Sequence, residues 1–513
     1  MTSRVSSFVD NDTFTTWLNI QTASGKDAIQ SKLQTWSSNT HTLVEARNRF
    51  QRVQTTIQKD DEFAKECDAI FKDVSEMERK LIPLTVANSK LEKESYNELL
   101  FVSPFTRPFN FVPYLLTLWS FLRVYLLPGL SFLFPLLTLI APYFILTYMF
   151  HIPITFKNYT QLLHSMISGN IQSVIQPSAQ GFAEKPIEPI ALAKQGGIIM
   201  MTVFQGIVQP YWTYKHLRSI DTIIHENGSL LTRFREQYIR LEQLLEKKGI
   251  TFYPCPSPLL ENERTAMARM LTDSFPFKLA LKYIGSFEAL YRLALKSEIK
   301  AVRWVRSATP VLRLTDAFDY QVPLTHRKTI SASFDSHAGR HALLTGPNKG
   351  GKSTALRAMA MSTLLAHTYG CAFGQFTLTP FAQQFVCLKP DDLPGEKSRF
   401  EREIEFTAGT LTSKQPVLIL IDELYHSTNP PDALRSCEIY SEQLWKRRNI
   451  ISVISTHLFD WVDRAPESIQ RLCCPATKDT NTGAITFSYR LSTGICKVSS
   501  VDSLLKSNGF AMD

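Results

Sequence analysis

The run HALLTGPNKGGKST, residues 341–354, decides how the C-terminal part of this 513-residue chain is read. His341–Leu344 is a compact apolar run of the kind a buried parallel strand needs. Gly346-Pro347-Asn348-Lys349-Gly350-Gly351-Lys352-Ser353-Thr354 comes directly after it and fits G-x-x-x-x-G-K-[ST]. Ala355–Leu365 then reads as a helix, so the motif sits in the strand–loop–helix context that phosphate binding requires. Its glycines let backbone N–H groups curl round a phosphate, and the helix start adds the positive end of its dipole. Lys352 is placed to neutralise β- and γ-phosphates, and the Ser353 hydroxyl to ligate Mg²⁺.

Val417-Leu418-Ile419-Leu420-Ile421-Asp422-Glu423 is an apolar strand ending in two acids, the first of them seventy residues beyond Lys352. Either acid alone could be no more than the polar end of a strand. Beside a phosphate loop, Asp422 is expected in the Mg²⁺ shell and Glu423 as the base that polarises the attacking water. A third apolar run, Ile450–Ser455, leads into Thr456-His457 and sets an imidazole where a γ-phosphate sensor would stand. From about Ala317 onward, short strands alternate with helical runs, which is the α/β signature.

Composition narrows the rest. The chain is 44% hydrophobic and 20% charged, which suits a globular protein rather than a disordered one. Its net charge of +9 is compatible with nucleic acid or an anionic membrane and diagnostic of neither. The eight cysteines form no C-x-x-C pair, which argues against a zinc cluster or disulfide scaffold and for a reducing compartment. The amino terminus is too polar for a secretory signal.

Upstream of the α/β part the chain reads as helical. One apolar stripe runs Phe63, Cys67, Ile70, Phe71, Val74, Met77. A second runs Leu231, Phe234, Tyr238, Leu241, Leu245 and closes on Lys247, Lys248 and Gly249. Both suit either coiled-coil arms or helices packed on a helical core. Between Arg107 and Lys157 the single formal charge is Arg123. Phe111–Leu127 holds 13 apolar residues in 17 and Leu130–Phe150 holds 16 in 21, with Pro128-Gly129 between them as turn punctuation. Each is about as long as a helix that crosses a hydrocarbon core. The pair reads as a transmembrane hairpin with both chain ends on one side, or else as a hairpin buried in a soluble core. Gln195–Tyr214 is uncharged but rich in Gln and reads as a core helix, and Gln176–Pro189 as an exposed linker. The resulting layout is an N-terminal helical region, 1–105; an apolar hairpin, 106–156; a helical core, 157–316; and a P-loop domain, 317–513.

These motifs together resemble the MutS family of DNA mismatch-repair ATPases. GPNKGGKST is similar to that family's P-loop, LILIDELYHST to its acidic strand, and STHL to its switch-histidine strand. Asp391-Asp392-Leu393 followed by Ser398-Arg399-Phe400-Glu401-Arg402-Glu403 resembles the segment bearing the family's signature serine. Tyr489-Arg490-Leu491-Ser492-Thr493-Gly494 resembles its closing strand, with a short helix beyond it. Ile284–Leu290 is similar to the helix that enters the ATPase domain. The likeness runs over roughly residues 280–513.

The resemblance implies an ABC-class ATPase fold using ATP and Mg²⁺, working as a dimer whose P-loop faces the partner's signature segment. Ser398 would then complete the neighbour's γ-phosphate site. It also implies DNA as a partner. The chain departs from the pattern where Arg399 comes after Ser398 and where Tyr425-His426-Ser427-Thr428 stand after the acids. The Thr428-Asn429 pair resembles a divergent group of short MutS-like proteins with apolar spans. A mismatch-reading domain has no room, and Phe234-Arg235-Glu236 echoes the family's wedge only inside an amphipathic helix. Lys446-Arg447-Arg448, a basic cluster at a helix end, reads as a solvated group rather than a DNA contact.

The sequence supports two readings of function: a dimeric ATP-driven switch on duplex DNA, or a membrane-anchored ATPase that remodels a protein or membrane partner. A transport or chromosome-organising ABC ATPase is a third, without an L-S-G-G-Q run to support it. In either of the first two the ATPase domain faces the cytosol or nucleoplasm. The sequence names no residue for the adenine face.

Overall fold

Val417–Ile421 and Ile450–Ser455 are apolar along nearly their whole length, so they form strands only where a sheet is covered on both faces. They are adjacent interior strands of a six-stranded sheet, and every one of their residues is buried. The computed structural model describes residues 8–85, 96–101, 103–167, 201, 204–256, 262–388, 398–479 and 485–499. The sheet runs Ser492–Thr493, Gln470–Cys473, His341–Thr345, Ile450–Ser455, Val417–Ile421, Gln383–Cys387. All neighbours are parallel except the edge strand Ser492–Thr493. Register sets Ser455 beside Leu344 and Ile454 beside Ile421. The ends of three adjacent strands therefore lie level, and the residues just past each end emerge along one edge of the sheet. A second sheet orders Arg303–Trp304, Gln375–Leu378, Leu312–Ala317 and Ile330–Phe334.

The chain divides into two compact units. The first joins Met1–Ser75, Tyr238–Pro254 and Leu279–Asp513, and the second joins Glu76–Gln237 and Cys255–Lys278. The compact unit that holds residues 317–513 thus also takes in the first helices of the chain. The reason lies in the helix Lys352–Tyr369, which is buried on nearly all sides and needs cover on each. Trp36 stacks on His367 at 3.9 Å between ring centres, while His367 Nδ1 donates to Ser37 O and Trp36 Nε1 to Phe381 O. Gly370 has φ 74°, and a Cβ there would stand 2.2 Å from the Arg47 amide nitrogen. Only glycine permits that approach. The carboxylate of Glu288, fully buried on the helix Phe275–Leu295, accepts from the amides of Gln21 and Thr22 and from the Thr22 hydroxyl.

Both amphipathic stripes are buried faces. Phe63 to Met77 lie on the helix Asp61–Thr85, and Leu231 to Leu245 on Gln209–Lys247, which ends near Gly249 at φ 64°. Phe234 is buried against Phe277, so no wedge projects from Phe234-Arg235-Glu236.

The second unit corrects the hairpin. Pro113–Phe121, a π turn Leu122–Leu126, Leu127–Phe144 and a second π turn Ile145–Met149 succeed one another as a single helical run. Pro128-Gly129 lies in the first turn of Leu127–Phe144 and makes no reversal. The wider turn before it, closed by Leu127 N donating to Leu122 O, absorbs the amide that proline lacks. By length and composition the described stretch Pro113–Leu133 can cross a membrane, and only 22% of its most apolar window is buried. The linker 176–189 lies outside the described residues, as do 195–200 and 202–203 of the Gln195–Tyr214 segment.

Candidate nucleotide-hydrolysis site

The level strand ends bring the sequence motifs together. Residues 346–351 turn from the strand His341–Thr345 into the helix Lys352–Tyr369. Gly346 has φ 143°, and a Cβ there would lie 2.9 Å from Cys474 O, so the tight exit from the strand needs glycine. Lys349 also adopts a left-handed conformation, at φ 66°. Such a loop aims consecutive amides inward.

Lys352 is 5% exposed. Its ammonium donates to Gly346 O at 2.8 Å and Pro347 O at 3.4 Å and meets His457 Nε2 at 3.0 Å. Burial holds its pKa below the usual lysine value, against the opposing pull of Glu423 and Asp422. The Ser353 hydroxyl donates to Asp422 Oδ2 at 2.5 Å, and Ser455 donates to the other oxygen of the same carboxylate. Ser455 Oγ also accepts from the Glu423 amide at 2.9 Å, so one hydroxyl aligns both acids.

Glu423 has φ 55° and Tyr425 φ 57°, a sharply turned backbone directly after the strand. Non-glycine residues hold that conformation only where surrounding contacts enforce it, and such positions cluster at functional sites. Glu423 Oε1 lies 3.3 Å from His457 Nε2. The bond from His457 holds the Glu423 carboxyl below the usual carboxylate range, with Lys352 and His426 adding to the effect. One imidazole nitrogen thus stands between the lysine and the acid.

Beside the loop opens a cavity of 530 Å³ lined by Phe318, Val322, His326, Lys328, Lys349 and Tyr489, among others. That volume suits a small organic ligand. The Tyr489 ring is one aromatic wall, on the side of the loop. A Cβ at Gly351 would stand 3.6 Å from Cδ1 of that ring, and Tyr489 itself has φ 53°. The sequence alone places Tyr489 in a closing strand and gives it no role at the loop. Its signal is tertiary, because the residue stands 138 positions after Gly351.

Ser398 is not brought to this cluster. It caps the helix Arg399–Thr410, its hydroxyl accepting from the Glu401 amide while its own amide donates to Glu401 Oε2 at 2.7 Å. Asp391-Asp392-Leu393 lie outside the described residues, and after Gly494 the described residues 495–499 are irregular rather than helical, with 500–513 outside the description. Lys446, Arg447 and Arg448 are exposed just before the strand Ile450–Ser455. The two departures from the family pattern prove to be neighbours: Arg399 Nη2 meets His426 Nε2 at 3.0 Å.

A phosphate loop, a hydroxyl–carboxylate pair and a histidine-held acid on adjacent strand ends are the features of a P-loop nucleotide-binding domain. Residues 342–504 match the family model for MutS domain V, the ATPase domain of the MutS family. The C-terminal part of the chain is thus similar to the ATPase domain of that family, from the loop strand through the edge strand.

Proposed function

We propose that the protein is a Mg²⁺-dependent ATPase of the MutS type that works as a homodimeric switch on duplex DNA. The observation that carries the chemistry is the convergence of Lys352, Ser353, Asp422, Glu423 and His457. The donor set at Ser353 and Asp422, a hydroxyl and a carboxylate without cysteine or imidazole, fits a hard cation that keeps waters and phosphate oxygens as its other ligands. Bound there, Mg²⁺ supplies neutralisation of the charge that builds on the β- and γ-phosphate oxygens.

The loop amides of residues 346–351 hold the phosphates, and the Tyr489 side of the cavity takes the nucleobase. The Lys352 ammonium, now spent on two carbonyls and His457, exchanges His457 for a phosphate oxygen. His457 Nε2, which cannot accept from Lys352 and donate to Glu423 at once, is then free to carry the proton that bonds and orients Glu423. Glu423, kept ionised by that bond, takes a proton from a water whose oxygen forms the new bond to the γ-phosphorus. The bond from γ-phosphorus to the bridging oxygen breaks, and that oxygen leaves on ADP.

The family's arrangement supports a composite site in which Ser398 of one subunit completes the γ-phosphate pocket of the other. It also supports a duplex partner, bound through backbone charge with weak selectivity for mismatches, and an ATPase facing cytosol or nucleoplasm. The exposed apolar helix of the second unit favours a second reading, a membrane-anchored ATPase acting on a protein or membrane partner. Two assays test these readings: phosphate release with and without Mg²⁺, and duplex binding over a salt series. Mg²⁺-dependent release stimulated by duplex supports the first reading. Release without measurable duplex affinity at low salt moves the protein to the second.

A further inference from the structure

We propose that the apolar run Pro113–Met149 of the second unit crosses a lipid bilayer, with the helical segment from Phe204 to Tyr214 packed antiparallel against it inside the same bilayer. That segment passes through Phe204–Val208 into Gln209–Lys247. Leu116, Ser120, Val124 and Pro128 are spaced at four-residue steps along the apolar run and all four are buried, one face packed on protein. Beyond Leu130 no described side chain up to Phe150 is buried. Phe132, Leu133 and Leu137 are 42–58% exposed, and Phe144 to Phe150 include side chains up to 76%. At 100° per residue, these positions point all round the helix rather than along one stripe. A partner protein that docks on one face leaves the others in water. A solvent that is itself apolar covers them all.

The second helix lies alongside in the opposite direction. The Tyr125 and Tyr214 rings are 6.1 Å apart, while Leu127–Phe144 packs on Phe204–Val208. Phe204, Ile207, Tyr211 and Trp212 are each more than half exposed. Neither apolar stretch carries a formal charge, from Val124 to Phe156 on one and from Met201 to Tyr214 on the other.

Charge begins at one level. Arg123 donates to Glu98 O and lies over the Trp119 ring, His216 reaches the Glu98 carboxylate at 3.4 Å, and Arg218 bonds the Tyr214 hydroxyl. Aromatic residues mark two depths. Tyr125, Trp212 and Tyr214 stand by this collar, and Tyr143, Tyr148, Phe156 and Tyr159 gather at the far end. From Tyr125 to Tyr148 the helix rises about 35 Å. A hydrocarbon core of about 30 Å with aromatic belts at both interfaces fits that span.

The antiparallel pair keeps the chain before Arg123 and the chain after Tyr214 on one side of the bilayer and puts His151 and its surroundings on the other. The test is synthesis of the full chain in the presence of phosphatidylcholine vesicles, with alkaline carbonate treatment and flotation afterwards. Wild type should float. Leu133→Asp with Leu137→Asp should cut the floating fraction roughly tenfold, because charges at the centre of a span oppose insertion. Retained ATP binding would show that the ATPase unit of this variant had still folded. Protease added outside should leave one protected fragment of about 90 residues, Tyr125 to Tyr214. A fragment of about 40 residues would restore a hairpin turning at Pro128 and overturn the pairing. A chain that stays in solution, alone or as a dimer that covers the apolar helices, would overturn the membrane itself. Neither readout depends on hydrolysis, so a failure here leaves the ATPase reading where it stood.

Discussion

Arg399 and His426 touch across the site's rim, Nη2 to Nε2 at 3.0 Å, and His426 Nδ1 in turn meets the carbonyl of Glu423 at 3.1 Å. The helix capped by Ser398 is thereby linked to the backbone of the base. Arg399→Ala and His426→Ala should each lower kcat several-fold with little change in KM for ATP. The double variant should be no worse than either single one, since residues in one network do not add. Additive losses in steady-state kinetics would show that the link carries nothing.

The proposed composite site can be tested by mixing chains. Lys352→Ala and Ser398→Ala homodimers should both be inactive or nearly so, while a mixture should regain one working site of two. Ser398 also caps a helix, and losing a cap costs about 1 kcal/mol. A thermal melt of Ser398→Ala, expected to shift by only a few degrees, separates lost stability from lost catalysis. No rescue at any mixing ratio argues for sites complete within one chain.

Duplex binding should weaken linearly on a log–log salt plot, because phosphate contacts release counterions. Matched and mismatched duplexes should differ by less than about tenfold, or 1.4 kcal/mol. The described residues offer no base-reading wedge, since Phe234 is packed on Phe277. A hundredfold mismatch preference in a titration would contradict this.

Two buried histidines make stability depend on pH. Burial lowers His367 to about 3 and His341 to about 4, both from 6.5. His367 Nε2 accepts from the Phe381 amide while Nδ1 donates to Ser37 O, which fixes the neutral form. Between pH 6.5 and about 4 the unfolded chain binds protons that the folded one refuses, so stability falls as pH falls through that window. His367→Gln should remove about 1.4 kcal/mol per pH unit from the slope of denaturation free energy. An unchanged slope would mean that His367 titrates alike in both states.

The phosphate loop, both acids and His457 were legible because each is contiguous with a strand whose apolar run announces it. Register did the rest, setting Ser455 beside Leu344 and Ile454 beside Ile421. The features that escaped depend on contacts between distant positions. Tyr489 reaches the loop only through the fold, and Trp36 lies on His367 across 331 positions. Pro128-Gly129 misled for the opposite reason. A strong local turn signal was overridden by helix on both sides, with a π turn to absorb the missing amide.

Lys352→Ala should lose ATP binding altogether, because no other described residue near the loop amides offers a buried cation. Equilibrium binding of a fluorescent ATP analogue checks this, and wild-type affinity in the variant would remove Lys352 from the phosphate site.

The most direct measurement is single-turnover hydrolysis of Mg²⁺–ATP by Glu423→Gln beside wild type, with ATP affinity measured on both. Glutamine keeps the size of the side chain and can still meet His457, but it cannot take the proton from water. Affinity should stay within a few-fold and the hydrolytic rate should fall by roughly 10²–10⁴, the usual worth of a positioned base. Hydrolysis at the wild-type rate would contradict the assignment of Glu423 and, with it, the account of this site.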